Sequence, residues 1–361
     1  MPLSSVYLRT ISPKRAMPNK SLKSFINLMP KAELHIHIEG SLEPELMLRL
    51  AEKNKIKLPY DSVEDVRDAY SFDNLQSFLD IYYLGANVLQ TAEDFYELMQ
   101  NYLEKCLDSN ILHTEIMFDP QTHMDRGIAF AAMFQGFDQA VSEAREKGMS
   151  VGLIMCFLRH LSEQSAFKTI KSASPFKDRI QSIGLDSGEK GNPPGKFTRV
   201  FQYAKSQGYR LVAHAGEEGP PAYVAQALEK LKIERIDHGV RSSEDPKLVE
   251  ILASTRLPLT VCPLSNIKLC IYESLQEHPI VDLHKRGVCV TINSDDPAYF
   301  GGYLNENYVA VAEAFGLGAR DLIALTQNSF EAAFIEDERE QELQRTLSEF
   351  IQTHEVLPGP I

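Results

Sequence analysis

The sequence predicts an α/β fold, a (β/α)8 (TIM) barrel, and three observations predict it. Eight short apolar runs rich in β-branched residues recur past residue 30. Segments with helical apolar spacing separate them, and each conspicuous polar motif sits where an apolar run stops. Parallel strands buried on both faces read as nearly continuous apolar runs, and a barrel gathers its chemistry at the C-terminal ends of those strands.

The runs are AELHIHI (32–38), LHTEIMF (112–118), VGLIMCFL (151–158), IQSIGLD (180–186), RLVAHA (210–215), RIDHG (235–239), PLTVCP (258–263) and VCVTINS (288–294). Between them the spacing predicts helices such as Asp94 to Leu107, Phe130 to Lys147, Ala222 to Leu231, Pro246 to Ala253 and Pro279 to Lys285. The first two strands are unusually far apart, so the helical material from Pro44 to Asp108 is expected to cap the barrel mouth. Ala319 to Ile335 and Arg339 to Thr353 are expected to close the barrel at the end of the chain, making 30–355 one domain.

With 361 residues, 43% of them apolar and 24% charged, the chain has the composition of a globular protein with a large core. A net charge of −13 argues against a nucleic-acid or anionic-membrane partner and suits a small substrate. Five cysteines without a CxxC pair read as reduced thiols, which implies a reducing, cytoplasmic setting. The first 29 residues differ. They carry Arg9, Lys14, Arg15, Lys20 and Lys23, and no acidic residue precedes Glu33. That composition fits either an organellar targeting segment or a disordered extension with Met17 or Met29 as the initiator. On either reading a chain starting at Met29 is expected to fold and stay active. Sequence leaves homo-oligomer formation open.

The chemistry lies in four motifs: HIHIEG (35–40), HAGEEG (214–219), RIDHG and NSDDP (293–297). His35 and His37 are two apart on a strand and therefore share a face. Alone, such a pair is more often structural, but His214 and Asp295 end the fifth and eighth strands and complete a donor set suited to zinc or a similar divalent ion. Such an ion lowers the pKa of its water from about 15.7 to about 7. Glu217, three residues after His214, is placed to move protons, with Glu218 as the helix-start carboxylate. His238 is placed to orient the attacking oxygen, and Asp296 to accept or stay a turn residue before Pro297.

These motifs, with VCPLSNIKL and NSDDPAYFGGY, resemble the adenosine/adenine deaminase family of metal-dependent hydrolases from about Met29 to at least Asn328. The resemblance implies one zinc per chain on His35, His37, His214 and Asp295, with Glu217 as proton donor to purine N1. It also implies His238 assisting the hydroxide, Asp296 contacting N7, and Gly184 giving a backbone donor to the ring. Adenosine-acting members carry HxHxDG, whereas Glu39 here is longer and is expected to intrude on the sugar's space. FDPQTH (118–123), with Asp119, and GLDSGEKGNPP (184–194) resemble members acting on free adenine. The expected reaction is therefore hydrolytic deamination of adenine to hypoxanthine and ammonia in purine salvage. Alternatives are deamination of N6-substituted adenine or of adenosine and AMP derivatives, or a non-catalytic purine binder. A cytidine-deaminase type centre on His113-Thr114-Glu115 is set aside because no PCxxC follows.

Overall fold

The computed structural model describes residues 19–354. Eight strands, β1 (Lys31–His37), β2 (Ile111–Phe118), β3 (Ser150–Leu158), β4 (Ser182–Asp186), β5 (Arg210–Ala215), β6 (Arg235–His238), β7 (Leu259–Val261) and β8 (Val290–Ile292), follow one another around a parallel sheet. Each matches one of the eight apolar runs. β7 and β8 are shorter than those runs because the chain leaves the ladder early: Pro263 starts a helix after β7, and the residues after β8 turn toward β1.

That turn closes the barrel. The His37 amide donates to the Asp295 carbonyl (2.9 Å), and the Asp295 amide donates to that of His35 (3.1 Å). Side chains reinforce the seam. Asn293 Oδ1 accepts from the Leu34 amide (2.8 Å), and the buried Glu33 carboxylate accepts from the Ser294 amide (3.0 Å) and hydroxyl. Tyr102 binds the other Glu33 oxygen at 2.7 Å. The bottom is plugged by Arg235 paired with Glu115 at 2.7 Å, both fully buried. His113 lies 3.2 Å from Glu115 there, so the His113-Thr114-Glu115 run is part of this plug, at the opposite end from the strand-end histidines.

The segment between β1 and β2 supplies helices Pro44–Asn54, Val63–Ala69, Leu75–Ala86 and Ala92–Asp108. Asn74 and Thr91 start the last two with reciprocal side-chain caps. Leu75–Ala86 lies over the mouth, as expected of this material. Helix Ala319–Ala332 packs on β1 and β8, and Asp337–Thr353 lies across the base, where Arg339 donates to the Leu112 carbonyl at 2.8 Å.

The N-terminal expectation is corrected in part. Asn19–Leu28 is a helix whose Leu22, Phe25 and Ile26 recur at three- and four-residue spacing and are buried. Phe25 packs at a tilt against Phe350, with ring centres 5.2 Å apart, and Lys31 Nζ donates to the carbonyls of Ile26 and Met29. Leu22, Phe25 and Ile26 thus tie this helix into the barrel's packing; the rest of the proposed extension, 1–18, lies outside the described residues. A chain starting at Met29 is accordingly expected to melt well below the full chain. Phe25→Ala should cost roughly 3 kcal/mol in chemical denaturation, and an unchanged midpoint for both would show that the helix adds nothing.

Candidate active site

The residues named by the four motifs meet at the barrel mouth. His35 and His37 rise from β1, His214 from β5, His238 from β6, and Asp295 from the closing turn. Ligand atoms of His35, His37, His214 and Asp295 all lie within 4.8 Å of one another, and all four residues are buried. Such crowding of imidazoles only makes sense if each proton is fixed, and Asp237, held ionised beside His214 and His35, fixes two of them. His35 Nδ1 faces Thr260 Oγ1 at 3.0 Å, while that hydroxyl donates to Asp237 at 2.9 Å, so Nδ1 carries the proton. His214 Nδ1 faces Asp237 Oδ2, and His37 Nδ1 faces Asp186 Oδ2, both at 3.6 Å.

All three rings turn Nε2 inward, and those of His35 and His214 are bare. His35 Nε2 lies 3.2 Å from Asp295 Oδ1 yet makes no hydrogen bond, and His37 Nε2 lies 3.1 Å from His214 Nε2. Lone pairs facing one another at that distance repel unless a cation sits between them. Three neutral imidazoles and a carboxylate are a donor set that fits zinc or a similar divalent ion. Burial and the neighbouring His214 push His37 down to about 3, which keeps it neutral.

Glu217 and His238 flank this cluster. His238 Nε2 is 3.7 Å from Glu217 Oε1 and 3.7 Å from Asp295 Oδ2. Burial first, then the charge of Asp295, raises the Glu217 carboxyl well above its ordinary value, so it holds a proton near neutrality. Asp296 is raised for the same two reasons. Its approach to the mouth requires a glycine: a Cβ on Gly40 would meet Asp296 Oδ1 at 2.0 Å. His238 and Asp295 also stand at φ +61° and +67°, a left-handed backbone that side chains other than glycine adopt at a cost.

A cavity of about 380 Å³, open mouth included, lies above the cluster. His37, His214, Glu217, His238, Asp295 and Asp296 form its polar floor. Leu75, Phe78, Leu79 and Tyr82 roof it from the capping helix, and Tyr83, Asp119, Asp186 and Ser187 wall one side. An apolar roof with a few convergent polar groups is the usual build of a small-molecule site.

Two predicted residues fall elsewhere. Glu39 lies behind the wall, where its Oε1 accepts from His123 Nε2 (2.8 Å) and the Asp119 amide (3.2 Å). It holds the Asp119 loop and does not itself fill the cavity. Burial raises its carboxyl to about 7. Gly184 lies within β4, paired with Cys156 of β3, and is outside the cavity lining. A Cβ there would meet Cys156 Sγ at 2.5 Å, so packing inside the barrel explains the glycine.

Sequence reasoning missed Asp186, Asp237, Thr260 and Glu189. Glu189 is fully buried, and its two oxygens accept from the amides of Gly216 (3.0 Å), Glu217 (2.9 Å), Glu218 (3.0 Å) and Gly219 (2.7 Å). One carboxylate thus shapes the whole loop that presents Glu217, with Arg159 3.7 Å away as its counter-charge. An acidic residue in the loop after a neighbouring strand was the signal available; Asp237 likewise precedes His238 directly.

A parallel barrel with three inward imidazoles and a carboxylate at its C-terminal mouth defines the class of barrel hydrolases built around a metal centre. Comparison with known proteins narrows the class. The profile of the Adenosine deaminase family matches residues 30–350, and the chain belongs to that family. An adenine deaminase from Acinetobacter baylyi is 56% identical over 317 residues, covering 88% of this chain and 96% of that protein. One from Wolinella succinogenes is 56% identical over 323 residues, covering 89% and 98%. The crystal structure of adenine deaminase from Arthrobacter aurescens superposes with a TM-score of 0.88 at 44% identity, covering 90% of this chain and 99% of that one.

Glu189→Gln tests the loop anchor. An amide offers only one acceptor oxygen to the four amides and sets its own N–H groups against them. Turnover is expected to fall by on the order of tenfold or more with the circular dichroism spectrum unchanged. Full turnover would mean that the loop holds itself.

Proposed function

We propose that the chain is a zinc-dependent hydrolase that converts adenine to hypoxanthine and ammonia and serves purine salvage. The observation that carries this reading is the pairing of three inward Nε2 atoms and Asp295 with a buried, proton-holding Glu217 on the floor of one small cavity. His35, His37, His214 and Asp295 would hold the metal. When bound, such an ion supplies a water acidified to near neutral pH.

The rest follows from the chain's own groups. Glu217 in its protonated form gives a proton to ring nitrogen N1, which makes C6 electron-poor. His238, 3.7 Å from both Glu217 and Asp295, steadies the oxygen that attacks C6. Asp296, protonated for the reasons given, donates to N7. Glu217 takes the proton released by the attacking water and delivers it to the leaving amine. The second proton of that water, freed as the C6 hydroxyl becomes a carbonyl, returns to Glu217, so adenine and water become hypoxanthine and ammonia and Glu217 ends as it began.

Preference for the free base is supported by the wall of Tyr83, Asp119 and Asp186 under the Tyr82 roof and by relatives that carry the name adenine deaminase. Glu39 contributes by fixing Asp119 in that wall. A sugar pressed against buried carboxyls clashes or strips them of water, whereas a merely missing contact costs about 1–3 kcal/mol.

Three measurements test the reading. Release of ammonia from adenine should exceed release of ammonia from adenosine, and of methylamine from N6-methyladenine, by several orders of magnitude in kcat/KM; comparable values for adenine and adenosine would remove the free-base assignment. Elemental analysis should find about one zinc per chain, lost together with turnover in His214→Ala. Glu217→Gln should keep the metal and lose on the order of a hundredfold in turnover; near-normal kinetics would move the acid role elsewhere, Glu218 being the first suspect.

A further inference from the structure

Of the imidazoles gathered at the mouth, His238 is wired in the opposite sense to His35 and His214. The wiring starts at a backbone group whose role is unambiguous. The Ile280 amide can only donate, and it points at His278 Nδ1 at 3.2 Å. His278 is buried, and burial pushes it down to about 3, so the ring is neutral and its single proton must sit on Nε2. Nε2 faces Asn266 Oδ1 at 3.1 Å and donates to it. With its oxygen so committed, Asn266 turns Nδ2 toward His238 Nδ1 at 3.4 Å. An amide nitrogen donates, so His238 Nδ1 accepts and the His238 proton is placed on Nε2, facing Glu217 and Asp295.

We propose that His278 and Asn266 are positioning residues for the deamination reaction, a relay that holds His238 in the Nε2–H form. This rests on the deaminase reading given above. The form matters in two ways. An N–H aimed into the site can hold the attacking oxygen, which a bare nitrogen cannot. It also keeps His238 out of the metal set. Its ring lies 4.7 Å from that of His35 and 5.0 Å from that of His214, and His238 with Cys262 and Asp295 forms a second group within ligand distance. A proton on Nε2 leaves no lone pair there for a metal to take.

The relay is built from parts distant in sequence. Asn266 sits on the helix Pro263–Lys268 after β7, and His278 precedes the helix Ile280–Lys285 before β8. Both side chains are buried, and neither lines the cavity. Their effect on turnover therefore runs through His238.

Asn266→Asp reverses the logic at nearly constant shape, because both carboxylate oxygens accept and His238 must then protonate Nδ1. In the zinc-loaded enzyme labelled with 15N-histidine, and with His238 assigned by the signals lost in His238→Gln, the wild type should show a protonated Nε2 and a bare Nδ1. Asn266→Asp should exchange the two signals. Its kcat on adenine should fall by on the order of a hundredfold while KM and zinc content stay within about threefold of wild type. His278→Leu, which frees Asn266 to flip, should lower kcat about tenfold, and His278→Gln, which keeps an N–H for Asn266, should recover most of that loss. A wild-type His238 protonated on Nδ1, or Asn266→Asp with wild-type kcat, overturns the relay. Wild-type protein that releases no ammonia from adenine overturns the deaminase reading instead, since the tautomer is read from the spectrum alone.

Discussion

Four buried imidazoles with neighbouring ring centres 4.7 to 5.5 Å apart impose the constraint on which the site depends: charge on them must be kept to a minimum, and each must keep its proton on a chosen nitrogen. Desolvation makes more than one charged ring prohibitive in such a volume. Neutrality alone leaves every ring free to present either a lone pair or an N–H. The surrounding acceptors and donors remove that freedom. Thr260 and Asp237 pull protons outward from His35 and His214, while Asn266 pushes the His238 proton inward. The metal-ready and oxygen-holding halves of the centre thus come from one kind of side chain sorted by its neighbours.

The loops that carry these groups share a second device. Each is held by a carboxylate that reaches it from elsewhere. Glu33 of β1 holds Ser294 next to Asp295, Glu189 from the loop after β4 holds the four amides around Glu217, and Glu39 after β1 holds the Asp119 amide. Hydrogen bonds from backbone N–H groups to a carboxylate are stronger than neutral ones. In the dry barrel mouth they give irregular segments the rigidity that a ladder gives a strand. Catalytic groups on strand ends therefore need not inherit the mobility of loops.

The strands were legible because burial on both faces leaves little room for polar residues, so β1 to β8 stood out as apolar runs, and their ends marked the chemistry. The donor set was legible for the same reason: a histidine or aspartate ending such a run has little structural use there. The helix Asn19–Leu28 was misjudged because its basic residues dominate the composition while its apolar stripe of Leu22, Phe25 and Ile26 is only one turn long. Glu39 and Gly184 were placed by motif position, yet what they do depends on packing across strands, against Asp119 and Cys156, that no local spacing records. Glu189, Asp237 and Asn266 escaped for a related cause. A polar side chain at a strand end, in a loop or on a short helix is read as solvated until its partners, tens of residues away, are known.

The left-handed backbone at His238 and Asp295 bears on how this protein could be altered. A glycine at either position would relax strain worth about 1 kcal/mol or more, and would also remove a buried polar side chain from a crowded cluster. Changes that abolish the chemistry there can therefore make the chain sturdier. Selection for heat resistance alone would be drawn toward inert barrels, so any screen of that kind has to score turnover at the same time.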